Sequence, residues 1–110
     1  MLTPGRKVIG APVRVAANFQ DESRVDIDPD TVTFRLLSPL GEEQSWVYGT
    51  DAELTRVNTG DYYIDVTPDA SGRWYFRWES TGTNKTIKFN GNFIVEYDPF
   101  EEGAMDAYRS

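Results

Sequence analysis

An all-β fold, an antiparallel sandwich of about seven strands, is what this sequence predicts, and three observations carry the prediction. Apolar and polar residues alternate with period two along most of the chain, which sends successive side chains to opposite faces of a strand. Aromatic residues make up 14% of the 110 residues, and Thr and Val recur beside them, a composition that suits a pleated, half-buried surface better than a helix. Clusters of Gly, Pro, Asn, Asp and Ser punctuate the chain every 8 to 12 residues or so, the spacing of turns in an immunoglobulin-like sandwich. A chain of this length is one domain, able to bury about two thirds of its unfolded surface without a disulfide or a metal.

The elements follow in order. Residues 1–11 carry Pro4, Gly5 and Gly10 and read as an N-terminal arm that joins the sheet only around residues 7–9. In residues 12–19, Val13, Val15, Ala17 and Phe19 alternate with Arg14, Ala16 and Asn18, and Pro12 stands first, where its missing donor is tolerated. Residues 20–30 are acidic and polar, ending in Asp28-Pro29-Asp30, a turn in which proline fixes φ and the carboxylates bond local amides. Val32, Phe34 and Leu36 then alternate with Thr33, Arg35 and Leu37 up to a proline-led turn at Ser38-Pro39-Leu40-Gly41. Trp46 and Tyr48 share one parity of a strand stopping at Gly49, and a short edge strand around residues 54–57 leads to a tight turn at Asn58-Thr59-Gly60. Tyr62, Ile64 and Val66 alternate with Asp61, Tyr63 and Asp65.

The strand over residues 71–80 organises the rest. Trp74, Phe76 and Trp78 lie on one parity and Arg73, Tyr75, Arg77 and Glu79 on the other. Two indoles and a phenyl ring, each burying roughly 150 to 250 Å² when covered, demand a wide apolar surface, which the other strands supply. A hairpin loop at residues 81–84 leads to a long last strand, where Ile87, Phe89, Gly91, Phe93, Val95 and Tyr97 keep one parity and Asn90-Gly91-Asn92 signals a bulge or bend. The predicted core is Phe34, Tyr62, Ile64, Trp74, Phe76, Trp78, Phe93 and Val95, within a sandwich over residues 12–97. Residues 98–110 leave the strand pattern and form a tail, either a disordered end or a docking arm.

Composition removes whole classes of function. The chain has no histidine and no cysteine, and with them go the usual general base at neutral pH, the thiol nucleophile and most transition-metal sites; no catalytic residue, cofactor or metal site is expected. Eleven basic residues against eighteen acidic ones leave a net charge of −7, which opposes binding to nucleic acid. No apolar run approaches the roughly 20 residues that cross a bilayer and no signal peptide is visible, so the expectation is a soluble chain with no membrane role. Asp26, Asp28 and Asp30, with Asp21 and Glu22, have oxygens that could gather around Ca²⁺, but the helix-loop-helix calcium pattern is absent, and acidic residues of this spacing ordinarily build turns.

Three segments read together carry a resemblance. They are Asp28-Pro29-Asp30-Thr31-Val32-Thr33-Phe34 with Pro39-Leu40-Gly41, Tyr48-Gly49 leading to Gly60-Asp61-Tyr62, and Gly72-Arg73-Trp74-Tyr75-Phe76-Arg77-Trp78-Glu79-Ser80-Thr81-Gly82. Together they resemble a family of small tailed-bacteriophage virion proteins with a DPxTV, TGxY and GxWxYRW pattern, over residues 4–97. The chain departs from that pattern at Ser80, where the family has glycine, and in residues 84–90, where its hairpin is rich in Gly and Ala.

The resemblance implies an immunoglobulin-like sandwich without enzymatic activity, made in the host bacterial cytoplasm and built into the virion, where it decorates or cements the capsid or sits at the head-tail junction. Its partners would be capsid, portal, neck or tail subunits, with a homo-oligomer also allowed, and its contacts would come from strand edges and from Arg6, Lys7, Phe100, Met105 and Tyr108 on the two arms. The alternative is a carbohydrate-binding adhesion module of a tail fibre. That reading requires an exposed aromatic platform drawn from Trp46, Tyr48, Tyr63 and Tyr75, of which three are accounted for by core packing or cross-strand pairing.

Overall fold

The computed structural model describes residues 9–82 and 85–96. Within them run seven strands: β1 (Val13–Asn18), β2 (Thr31–Leu37), β3 (Glu43–Val47), β4 (Leu54–Asn58), β5 (Asp61–Val66), β6 (Gly72–Gly82) and β7 (Lys85–Val95). All pairings are antiparallel, in one sheet ordered β1-β5-β4 and another ordered β3-β2-β6-β7. The chain is therefore an all-β immunoglobulin-like sandwich. The arm positions Arg6, Lys7, Phe100, Met105 and Tyr108 lie outside the described residues, as does the hairpin link at residues 83–84.

Period two places the core. Val13, Val15 and Ala17 of β1, Val32, Phe34 and Leu36 of β2, and Tyr62, Ile64 and Val66 of β5 are buried, and the residues between them face outward or lie half-buried. Across the larger sheet the register sets Trp46, Phe34, Trp78 and Phe89 side by side on the inner face, with Phe34 and Trp78 rings 4.8 Å apart. Phe19 enters from the facing sheet and meets Trp78 and Tyr62 edge-on at 6.4 and 5.6 Å, the geometry that ring quadrupoles favour. Trp74 and Phe93 stack at 6.2 Å, and the Trp74 indole donates to the Ala70 carbonyl at 2.9 Å. Trp78 is fully buried, yet its Nε1 finds no acceptor among the described residues. Of the predicted core, Phe34, Tyr62, Ile64, Trp74, Trp78, Phe93 and Val95 are buried, whereas Phe76 is half-buried and packs against the cluster from its margin.

Two expectations are corrected. The Asn90-Gly91-Asn92 stretch is neither bulged nor bent out of the ladder: Arg77↔Asn90, Phe76↔Gly91 and Tyr75↔Asn92 pair in unbroken register. Glycine is needed there because the Phe76 ring lies directly over it, where a Cβ would collide with the ring. The register shift falls instead in β4, between Arg56 and Asn58. The third strand spans Glu43–Val47, so Tyr48 lies beyond it, although its N–H still donates to the Val32 carbonyl at 2.9 Å.

The acidic segment after β1 is tied to the smaller sheet through Asp28. The Asp28 carboxylate accepts from Arg56 Nε and Nη2, from the Gly60 N–H at 2.9 Å and from the Tyr62 hydroxyl at 3.1 Å. Gly60 makes this possible: its φ of 80° is the left-handed turn conformation, and a Cβ would lie 2.6 Å from the Phe19 carbonyl oxygen. These donors, Arg56 first, hold the Asp28 carboxyl down at about 2, while burial and the Asp28 hydrogen bond push the Tyr62 hydroxyl up to about 12.

Candidate ligand-binding face

The outward parity of β2, β3, β6 and β7 forms one face, and the register sets its rows. Ser45, Arg35, Arg77 and Asn90 lie in one row, and Glu43, Leu37, Tyr75 and Asn92 in the next. Tyr75 is 50% exposed and Leu37 beside it 38%, an apolar patch bordered by hydrogen-bonding side chains. A shallow depression of about 310 Å³ lies here, edged by Arg35, Leu37, Glu43, Tyr75, Arg77 and Asn90.

The charges around Tyr75 are held in two different ways. Arg35 donates through Nε and Nη2 to Glu43 Oε2 at 3.1 and 2.6 Å and through Nη1 to Glu79 Oε2 at 3.4 Å, so two carboxylates raise its pKa and absorb its charge. Arg77 Nε donates to Asn90 Oδ1 at 2.7 Å, and Arg73 Nη1 to Asn92 Oδ1 at 2.6 Å. An amide oxygen orients a guanidinium without neutralising it.

The four aromatic residues singled out from the sequence meet different fates. Trp46 is half-buried, tilted against Phe34 at 5.9 Å. Tyr48 is 42% exposed but turns its ring edge-on to Tyr62 at 5.2 Å. Tyr63, on the outer face of the smaller sheet, is covered: the Arg14 guanidinium stacks 3.8 Å from its ring centre while forking to Asp65 at 2.8 and 2.9 Å. That fork holds the Asp65 carboxyl below the usual carboxylate range. Tyr75 is left with a half-exposed ring. Arg73, Arg77, Asn90 and Asn92 were not among the candidate site residues, although the outward parity of Arg73 and Arg77 beside Trp74, Phe76 and Trp78, and of Asn90 and Asn92 beside Phe89 and Phe93, was the signal that places them here.

The acidic loop spends its carboxylates on local donors. Asp21 Oδ1 accepts from the Ser23 and Val25 amides at 2.8 and 3.0 Å, and Asp26 Oδ1 from Asn18 and Gln20 at 3.2 and 3.0 Å. Among the described residues no three acidic side chains gather where a cation would sit.

Neither a protein-family model nor a curated protein matches the chain. Among solved structures it is similar to the chitinase ChiW from Paenibacillus sp. str. FPU-7, described as a bacterial cell-surface-expressed multi-modular enzyme machinery, with a TM-score of 0.62 and 16% identity. The match covers 84% of this chain and 8% of that one, so the chain spans the length of one small part of a much larger protein, and at this identity the likeness establishes the fold. The expectation of a phage virion, capsid-decoration or head-tail context is corrected: nothing in these comparisons supports it, and the solved structure that the chain resembles belongs to a bacterial cell-surface enzyme. The chain is an immunoglobulin-like sandwich similar to a part of a multi-modular cell-surface enzyme, and among the described residues Tyr75 presents a half-exposed ring on the outer face of its larger sheet.

Proposed function

We propose that the chain is a non-catalytic carbohydrate-binding module that holds sugar rings on the outer face of β2, β3, β6 and β7. One observation carries the reading: Tyr75 is half exposed, no aromatic ring or guanidinium among the described residues stacks on it, and Asn90, Asn92 and Arg77 stand in the rows around it. An aromatic ring offers a flat apolar platform to the C–H face of a pyranose, and planar amides and guanidinium groups reach the hydroxyls at its rim. Such a surface is open and shallow, suited to a long polymer lying along it. The likeness to a segment of a cell-surface multi-modular chitinase supports a module of this kind. A non-catalytic role fits a chain without histidine or cysteine, in which Asp28, Asp65 and Glu43 are committed to arginine partners.

The test is retention of the intact chain in native gels cast with soluble polysaccharides, together with pull-down on insoluble chitin. At least one glycan should retard or capture the protein, and Tyr75→Ala should weaken that binding about tenfold, the loss of roughly 1.4 kcal/mol of ring contact. Binding that survives Tyr75→Ala undiminished would remove this face from consideration.

A further inference from the structure

The two arginines that flank Tyr75 differ from three others in the sandwich. Arg14, Arg35 and Arg56 are each paired with a carboxylate, those of Asp65, Glu43 and Asp28. Arg73 and Arg77 have no carboxylate partner among the described residues; each has one donor held by an asparagine oxygen across the β6–β7 ladder. Among the described residues no carboxylate neutralises them, and their planar forks are steered by Asn92 and Asn90, which lowers the entropy lost when a ligand is gripped. Among the described residues of this face, Arg35, Arg73, Arg77 and Lys88 stand against Glu43, Glu79 and Glu96, the last just beyond β7, four cations to three carboxylates, on a chain whose net charge is −7. Charges beyond about 8 Å are largely screened at physiological ionic strength, so a ligand lying on this face meets its local positive excess.

We infer that the row Arg73, Tyr75, Arg77 is a binding site for an acidic polysaccharide, one that carries carboxylates on its sugar rings. This rests on the carbohydrate reading of the face and names its ligand class. The spacing suits such a polymer. At 3.3 to 3.4 Å per residue, positions 73 and 77 lie roughly 13 Å apart on the same face of one strand, with the Tyr75 ring midway, so one sugar can stack on Tyr75 while carboxylates on either side reach the two guanidiniums. Arginine binds a carboxylate through two parallel N–H donors, and an arginine already neutralised, such as Arg35, contributes little to that contact.

The test uses the intact chain, titrated by calorimetry with polygalacturonate, alginate and hyaluronate, with fully methyl-esterified polygalacturonate, and with neutral chitin oligosaccharides. A uronate polymer should bind, and its methyl ester should bind about tenfold more weakly or worse, since esterification removes the charge and keeps the sugar. Arg73→Gln and Arg77→Gln should each weaken uronate binding about tenfold with an unchanged melting temperature, because both side chains lie outside the core. Equal binding of the free and esterified polymers, or binding of the chitin oligosaccharides alone, would overturn the acidic-ligand inference and leave the carbohydrate reading standing. Uronate binding untouched by both glutamine variants would overturn the assignment of the site. Equal capture by dextran sulfate that ignores Tyr75→Ala would reveal a general polyanion surface and overturn the inference. Failure of every glycan to bind would sink this inference and the proposed function together.

Discussion

Gly91→Ala tests how β6 and β7 fit together. A glycine in the middle of a strand weakens it, and alanine at a position with ordinary φ normally returns about 0.4 to 1 kcal/mol. Here the added Cβ would lie 2.8 and 2.9 Å from Phe76 Cε1 and Cε2, with Cζ closer still. Phe76 has little freedom to yield, because its ring stacks on Phe34 at 5.9 Å and on Phe93 at 6.4 Å. Overpacking of this kind costs about 1 to 3 kcal/mol, so the net change is a destabilisation of about 1 to 2 kcal/mol. At about 4 °C per kcal/mol for a domain of this size, the melting temperature falls by about 4 to 8 °C. Urea unfolding followed by tryptophan fluorescence should show a lower midpoint with an unchanged slope. In a Phe76→Leu background the same alanine should cost much less, and the double-mutant cycle isolates that coupling. A neutral or stabilising Gly91→Ala would refute the close-approach explanation for glycine at this position.

Other outcomes follow from the polar contacts. Tyr62→Phe keeps the buried ring and loses the hydroxyl bonded to Asp28; since water reaches that carboxylate, the loss should be about 1 kcal/mol by chemical denaturation, near the low end for a bond to a charged group. The Asp28 carboxyl is held at about 2 in the folded chain against about 3.9 unfolded. The stability it supplies is therefore complete above pH of about 4 and disappears as the pH falls through about 2, and Asp28→Asn should flatten the acid limb of the stability curve. The Tyr62 hydroxyl runs the other way: held at about 12 when folded against about 10 unfolded, it stabilises fully below pH of about 10 and ceases to do so as the pH passes about 12. Trp74→Phe should cost about 1 kcal/mol more than Trp78→Phe in parallel denaturation series, because the first strands the Ala70 carbonyl while the second removes an N–H that has no acceptor among the described residues.

Much of the fold was legible because strand periodicity is local. The β2 bounds at residues 31 and 37 follow from alternation between two turn signals, and the buried parities of β1, β5 and β6 follow from the same rule. Position 91 misled because glycine serves both a bulge and a close approach, and only the neighbouring strand reveals which. The candidate face was half legible. Its residues were visible as the outward parity of the central strand, but the contrast between neutralised Arg35 and Arg77, which no carboxylate among the described residues neutralises, depends on Glu43 and Glu79 arriving from β3 and β6.

The sequence by itself determined the class of fold, the inward and outward faces of its strands, and the absence of imidazole and thiol chemistry, because each depends on residue type and on spacing along the chain. Tertiary structure alone decided which strands share a sheet and in what register. Those pairings join residues as far apart as Arg14 and Asp65, which cover Tyr63 together, and they leave Tyr75 half-exposed between two arginines held by asparagines. Whether an aromatic ring is a wall or a platform is set by what another strand lays over it, and periodicity along one strand carries no record of that.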